Sequence, residues 1–251
     1  MIATLRSEWI KFRTVRMNGV LTIIAVAFPL VIVGLTALLI DADDMDGGDL
    51  ASLVSGTSII TGMLLGVMAA AGITSEFGFN TIRPTFAATP RRMRVISAKA
   101  VLSIAVGAAV GAAVVVVSFA LGATLLNGRD GDVSLPAGDA RMGMVGVVVF
   151  AAIVSLLGLG LGMLIRSTPA AVAVLILWPL VAEGLVAGIL FAAGIEDAGK
   201  WLPYQSGLAL SNTDSSAASD TLGRWTGGAY FLAVTVAVGA FGAWSVSTRD
   251  A

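Results

Sequence analysis

The side chains able to do chemistry are few and far apart. The 251-residue chain contains neither cysteine nor histidine, which excludes disulfide frameworks, thiolate chemistry, haem ligation, His-bearing zinc sites and histidine-based acid/base machinery. Carboxylates, cations and hydroxyls remain. Glu183 is the one ionisable residue inside a long apolar stretch. Such a group is expensive in hydrocarbon and moves protons, ties helices together or borders a water-filled cavity. A proton-coupled secondary transporter would use Glu183 as its carboxylate. Pumps of that kind usually show a relay, a paired base or matched discontinuous helices, and no second charge lies in an apolar stretch here, so the structural tie is the stronger reading. No nucleophile sits with a base, which makes a membrane-embedded enzyme the weakest class. The run Gly194-Ile-Glu-Asp-Ala-Gly199-Lys200 keeps phosphate-loop spacing as far as its lysine, but Trp201 stands where a magnesium-binding hydroxyl is needed and no strand is expected before it. It is a false match, and the chain is not expected to hydrolyse ATP.

Two other segments concentrate charge and aromatic surface. Between Glu76 and Lys99, Phe77, Phe79, Ile82 and Phe86 lie near Arg83, Arg91, Arg92 and Arg94, and Pro84 and Pro90 break the segment into short pieces. Uncovered aromatics mark a docking surface; the competing reading is a loop folded onto its own lipid interface. Between Ile2 and Arg16, the residues Ile2, Leu5, Trp9 and Phe12 fall at i, i+3, i+7 and i+10, one face of a helix, with Arg6, Glu8, Lys11 and Arg13 around it. A short basic amphipathic helix with a Trp belongs in an interface plane, held by apolar burial and anionic headgroups. A plain orienting flank would not require the apolar face.

The elements that must position these groups follow from composition. Hydrophobic residues make up 57% of the chain and charged ones only 12%, against about 25% charged in a typical globular protein. Six charge-poor stretches are each long enough to cross about 30 Å of hydrocarbon as a helix: Met17 to Ile40, Leu50 to Ser75, Ala100 to Gly128, Met142 to Ile165, Ser167 to Ile195 and Trp225 to Thr248. The expected fold is therefore an all-α integral membrane protein of one six-span domain over 1–251, the fifth span, with Pro179, being the least regular. The first stretch is too long for a cleavable signal and reads as a retained span. With the N-terminus inside, Arg6, Lys11, Arg13, Arg16, Arg83, Arg91, Arg92, Arg94, Lys99, Arg166 and Arg249 are cytoplasmic. Arg129, Arg141, Lys200 and Arg224 are outside, together with the acidic run Asp41, Asp43, Asp44, Asp46 and Asp49. The positive-inside rule thus places both termini in the cytoplasm. The outer segment 196–224 mixes Trp201, Leu202, Pro203, Tyr204, Leu208 and Leu210 with the run Ser215 to Ser219, which suits a partly buried or interfacial hairpin. Small residues recur four apart at Gly62/Gly66, Gly107/Gly111, Gly158/Gly162 and Gly184/Gly188, a spacing that admits close helix approach, although among 30 glycines many such pairs arise by chance, packing within the chain explains most of the remainder, and a minority suits a subunit interface.

The order of several short motifs then carries a family resemblance. The start Ser7-Glu-Trp-Ile-Lys-Phe-Arg-Thr-Val-Arg16, the exit Thr74-Ser75-Glu76, then Thr81-Ile82-Arg83, Ala88-Thr89-Pro90-Arg91-Arg92 and Ala98-Lys99-Ala100 resemble the permease subunits of type-2 ATP-binding cassette exporters, the actinobacterial branch most closely. Trp178-Pro-Leu-Val-Ala-Glu183 and Leu202-Pro203 also look like that pattern, while Asn80 departs from the glycine common before the Thr. The resemblance implies a bacterial cell-membrane exporter half. It implies an interfacial helix over 2–16 that includes Leu5, Trp9 and Phe12, a cytoplasmic coupling helix within 76–99 between spans 2 and 3, and an outer hairpin between spans 5 and 6. Partners would be a second permease copy or close relative, separate ATP-binding cassette ATPase subunits and membrane lipid, with no nucleic acid. The chain would hold no cofactor, ATP and magnesium being bound by the ATPase. Phe79 to Thr89 would dock, using Phe79, Thr81, Ile82, Phe86 and Thr89, with Glu76 and Arg83 adding charged contacts. The cargo would be an amphiphilic, lipid-like, drug or peptide molecule.

Overall fold

A computed structural model describes residues 2–79, 81, 92–213 and 222–249, without the side chains of 196–198 and 249. The regular elements among the described residues are all helical, with no strand. Six helical stretches are long and apolar enough to cross a membrane. Helix α1 (Ile2–Thr14) breaks at Val15, whose backbone is extended, before α2 (Arg16–Leu39). After a 3₁₀ turn (Ala42–Asp44) come α3 (Gly47–Gly56) and α4 (Ser58–Gly78). Helix α5 (Arg92–Asn127) is followed by α6 (Gly138–Ile165). The fifth stretch is α7 (Thr168–Leu177), a π-helical turn (Trp178–Ala182) and α8 (Glu183–Ala192). A 3₁₀ turn (Glu196–Trp201), the short α9 (Pro203–Leu208) and another 3₁₀ turn (Ala209–Ser211) precede α10 (Arg224–Arg249).

Three boundaries differ from the sequence expectation, each for a local reason. The second stretch is two helices: at Gly56-Thr57-Ser58 the Thr57 hydroxyl donates to the Val54 carbonyl at 2.7 Å, and such side-chain bonding competes with helix continuation. The acidic run before it is partly structural. Asp46 accepts from the Gly48 and Asp49 amides while Asp49 accepts from the Asp46 amide, a reciprocal cap on α3. The third stretch begins at Arg92, so helix occupies 92–99 of the expected inner loop as well as 76–78 at the end of α4. The fifth is irregular where Pro179 removes an amide hydrogen, and the chain answers with a π turn in which the Glu183 amide donates to the Trp178 carbonyl.

Helices α4 and α6 form the centre. Burial covers 61% of the most apolar window in the α3–α4 stretch and 56% in α6, but only 17% in α7–α8. Close approach is possible because side chains are missing at the crossings. A Cβ on Gly158 would collide with the Gly66 carbonyl, one on Gly162 would meet Ile73 and Ala70, and one on Gly107 would meet Ser155 and Ala151. Three of the four small-residue pairs therefore pack helices within the chain. The fourth, Gly184/Gly188 in α8, meets open space. Segment α9 turns back into the bundle, where Tyr204 sits edge-on to Phe150 and Phe231 and Leu210 is buried with them. That agrees with a partly buried segment; residues 214–221, including the whole run Ser215 to Ser219, lie outside the described residues.

Candidate functional site: a buried ion ring and its cleft

Where the end of α4 meets the start of α5, α1 lays its polar side against the bundle. Glu8 and Lys11 are three apart and share a helix face. Lys99 Nζ donates to Glu8 Oε2 and to Glu76 Oε1, both at 2.6 Å. Lys11 Nζ donates to Glu8 Oε1 at 2.9 Å and to Glu76 Oε1 at 3.1 Å. Two carboxylates and two ammonium groups thus alternate in a closed ring joining three helices. The side chains of Glu8 and Lys99 are 5% and 10% exposed, that of Lys11 40%. Burial opposes the charge on Lys11, yet the neighbouring Glu8 and Glu76 carboxylates more than offset it and raise its pKa. Desolvating such charges costs several kcal/mol per ion, so a ring at this depth is a fixed joint whose members cannot be removed singly without penalty.

The ring is one wall of a cleft of about 580 Å³. The rest of its lining is mostly apolar, with Leu65 and Met68 of α4, Leu102 and Val106 of α5, and Leu159 of α6, interspersed with hydroxyls such as Ser75, Ser103 and Ser155. Asn18 at the start of α2 is buried there and donates to the Phe12 carbonyl at 3.1 Å.

The α1 side chains singled out from sequence divide between protein and exterior. Leu5 and Phe12 are half-buried, while Trp9 is exposed and stacks on Phe12 with ring centroids 5.8 Å apart. The fully buried residue of α1 is Glu8, a polar anchor that hydrophobic periodicity does not reveal. Among the loop aromatics, Phe77 is not free surface: it packs beside Ile73 and Met163 and lies under the Arg166 guanidinium, 5.1 Å from the ring centroid. Phe79 is 80% exposed. Thr81 donates its amide to the Glu76 carbonyl at 3.0 Å. Ile82, Arg83, Phe86 and Thr89, with the expected coupling helix, lie outside the described residues.

Glu183 is wholly buried and fully engaged. Its Oε1 accepts from Trp178 Nε1 at 2.9 Å and from the Tyr204 amide at 2.8 Å, and its Oε2 accepts from the Gln205 amide at 2.9 Å. The two amides belong to the first turn of α9, which lacks intrahelical acceptors. One carboxylate therefore joins the π turn of the fifth stretch to the re-entering segment, a tie between helices. The false phosphate-loop run ends in the 3₁₀ turn after α8.

At the opposite end, Arg129 Nη1 donates to the Ala37 and Ile40 carbonyls at 2.7 and 3.0 Å, closing the end of α2. Arg224 reaches Asp139 and the Asn212 carbonyl. Comparison with protein-family models, curated proteins and solved structures finds no match.

Proposed function

We propose that this multi-pass membrane protein is the permease subunit of an ATP-driven exporter, pairing with a second permease and with two separate ATPase subunits, which bind the ATP and magnesium. The observation that carries this reading is the ring of Glu8, Lys11, Glu76 and Lys99, which fastens α1 to both helices flanking residues 79–91. Displacement of that segment by a partner would be passed to α1, α4 and α5 together, because a buried ring resists being opened one pair at a time. The ordered motifs from Ser7 to Ala100 support the same assignment, as does Phe79, a large aromatic left exposed beside the joint. In this reading the basic end faces the cytoplasm, and the cargo is amphiphilic or lipid-like.

The alternative, proton-coupled transport through Glu183, loses its main support. A carboxylate accepting three N–H donors has a structural reason to be buried.

The test is to purify the chain with any ATPase bound to it and to measure ATP hydrolysis. Phe79→Ala should insert normally and lower the chain's stimulation of ATPase activity. Absence of any co-purifying ATPase, or full coupling in Phe79→Ala and Phe86→Asp, would overturn the assignment.

A further inference from the structure

The cleft beside the ion ring has the build of a ligand site. Its volume of about 580 Å³ falls within the roughly 300–1,000 Å³ usual for small-molecule pockets. Its chemistry is divided along its length. Leu65, Met68, Leu102, Val106 and Leu159 line it with apolar side chains, Leu102 being the half-buried one among them, and Ser103 and Lys11 line it with polar ones.

The polar end favours one sign of charge. An ammonium group has three N–H donors, and Lys11 spends two on Glu8 and Glu76 while remaining 40% exposed. Glu8 and Glu76 are the only carboxylates at this end among the described residues, and both are held by lysines. Arg6, Arg13, Arg16 and Arg94 are exposed at the same end. The local field is therefore positive: Glu76 Oε2 is a buried acceptor without a hydrogen-bond partner, but the charges of Glu8 and Glu76 are matched by Lys11 and Lys99 and the surface arginines add to them. We infer that the cleft binds a single-chain amphiphile with an anionic head, its hydrocarbon along the Leu65–Leu102–Leu159 wall and its head oxygens at the third Lys11 N–H, within the field of the surface arginines. This goes beyond the exporter reading and does not depend on it, because binding needs no ATPase.

The measurement uses the full chain, delipidated in detergent, titrated with lysophosphatidylglycerol and, separately, with lysophosphatidylcholine of the same chain length. Lysophosphatidylglycerol should bind saturably at one per chain and at least tenfold more tightly than lysophosphatidylcholine. Leu102→Trp, which fills the apolar wall, should weaken it at least tenfold, and Lys11→Gln should reduce the preference for the anionic head. Glycerol 3-phosphate, a head without a chain, should not compete. Equal, non-saturating uptake of both lipids unaffected by Leu102→Trp would identify ordinary detergent-like coating and overturn the inference. Competition by glycerol 3-phosphate alone would replace the amphiphile with a free phosphate ligand and overturn it as well. Should Leu102→Trp fail to fold, the absence of natural cysteine offers a second readout: Ser103→Cys should react with a small thiol reagent several-fold more slowly when lysophosphatidylglycerol is bound. An unchanged rate would sink the proposal.

Discussion

A wholly buried carboxylate that accepts three N–H donors acts as a joint between the segments that supply them. In Glu183→Gln the amide oxygen can keep the bonds from Trp178 and Tyr204, but the new NH₂ faces the Gln205 amide, donor against donor. One mismatched buried pair costs about 1–3 kcal/mol, so the variant should melt earlier in detergent. Transport in reconstituted vesicles should nevertheless persist when ATP is supplied and the proton gradient is collapsed with an uncoupler. Loss of transport on uncoupling alone would restore the proton-carrying role. The ring makes a complementary prediction. Lys99→Ala leaves Glu8 and Glu76 buried with only Lys11 to pair them, and breaking a buried ion pair from one side costs about 3–5 kcal/mol. Adding Glu8→Gln and Glu76→Gln should recover much of that loss, which melting temperatures of the single and triple variants would show. The pH dependence has a defined sign. A lysine whose folded pKa is raised contributes fully below its ordinary value of 10.5 and loses that contribution as pH rises through the folded value. From neutral pH up to 10.5, stability should not fall on account of Lys11; above it, the α1 joint should loosen.

Helix by helix, the missing Cβ atoms separate internal packing from free surface. Gly158→Ala would force its methyl group against the Gly66 carbonyl, and α4 and α6 would have to part. Overpacking of this kind costs about 1–3 kcal/mol, readable as a lowered melting temperature. Gly184→Leu meets nothing within the chain and should leave that temperature nearly unchanged. If α8 seats a second permease copy, the same variant should abolish the dimer in mass measurements of the detergent complex; a persisting dimer would place the contact elsewhere. Sequence showed both pairs as the same four-residue spacing. It could not tell them apart, because which glycine meets a neighbour depends on helix rotation and crossing angle, and neither is written in local pattern. The helices themselves were legible, since uninterrupted apolarity over a membrane's thickness admits few alternatives. The break at Thr57 and the extension of α5 back to Arg92 were not, because a hydroxyl bond to Val54 and a charged helix start lie outside what hydropathy reports.

Across the whole molecule, the candidate residues were named more readily than their relations. Glu183 stood out as the lone charge in an apolar stretch, and two of its three donors, the Tyr204 and Gln205 amides, appear only when α9 folds back from residues just beyond Trp201. Glu8, Lys11, Glu76 and Lys99 were visible singly at the margins of apolar stretches, but their ring joins residues 91 positions apart, a register that no local periodicity encodes. The segregation of charge between the two ends is a property of the entire chain and was fully legible. It also supplies the most direct test of orientation. Asp46 and Asp139 lie at the acidic end, whereas Arg94 is exposed at the basic end with Arg6, Arg13 and Arg16. Because the chain has no cysteine, each position can carry the sole thiol. In intact cells, Asp46→Cys and Asp139→Cys should react with a membrane-impermeant reagent, and Arg94→Cys should react only after the membrane is opened, as the excess of basic residues at that end requires. Labelling of Arg94→Cys in intact cells would invert the molecule, and with it would go the cytoplasmic placement of the ring and the ATPase-facing role of Phe79.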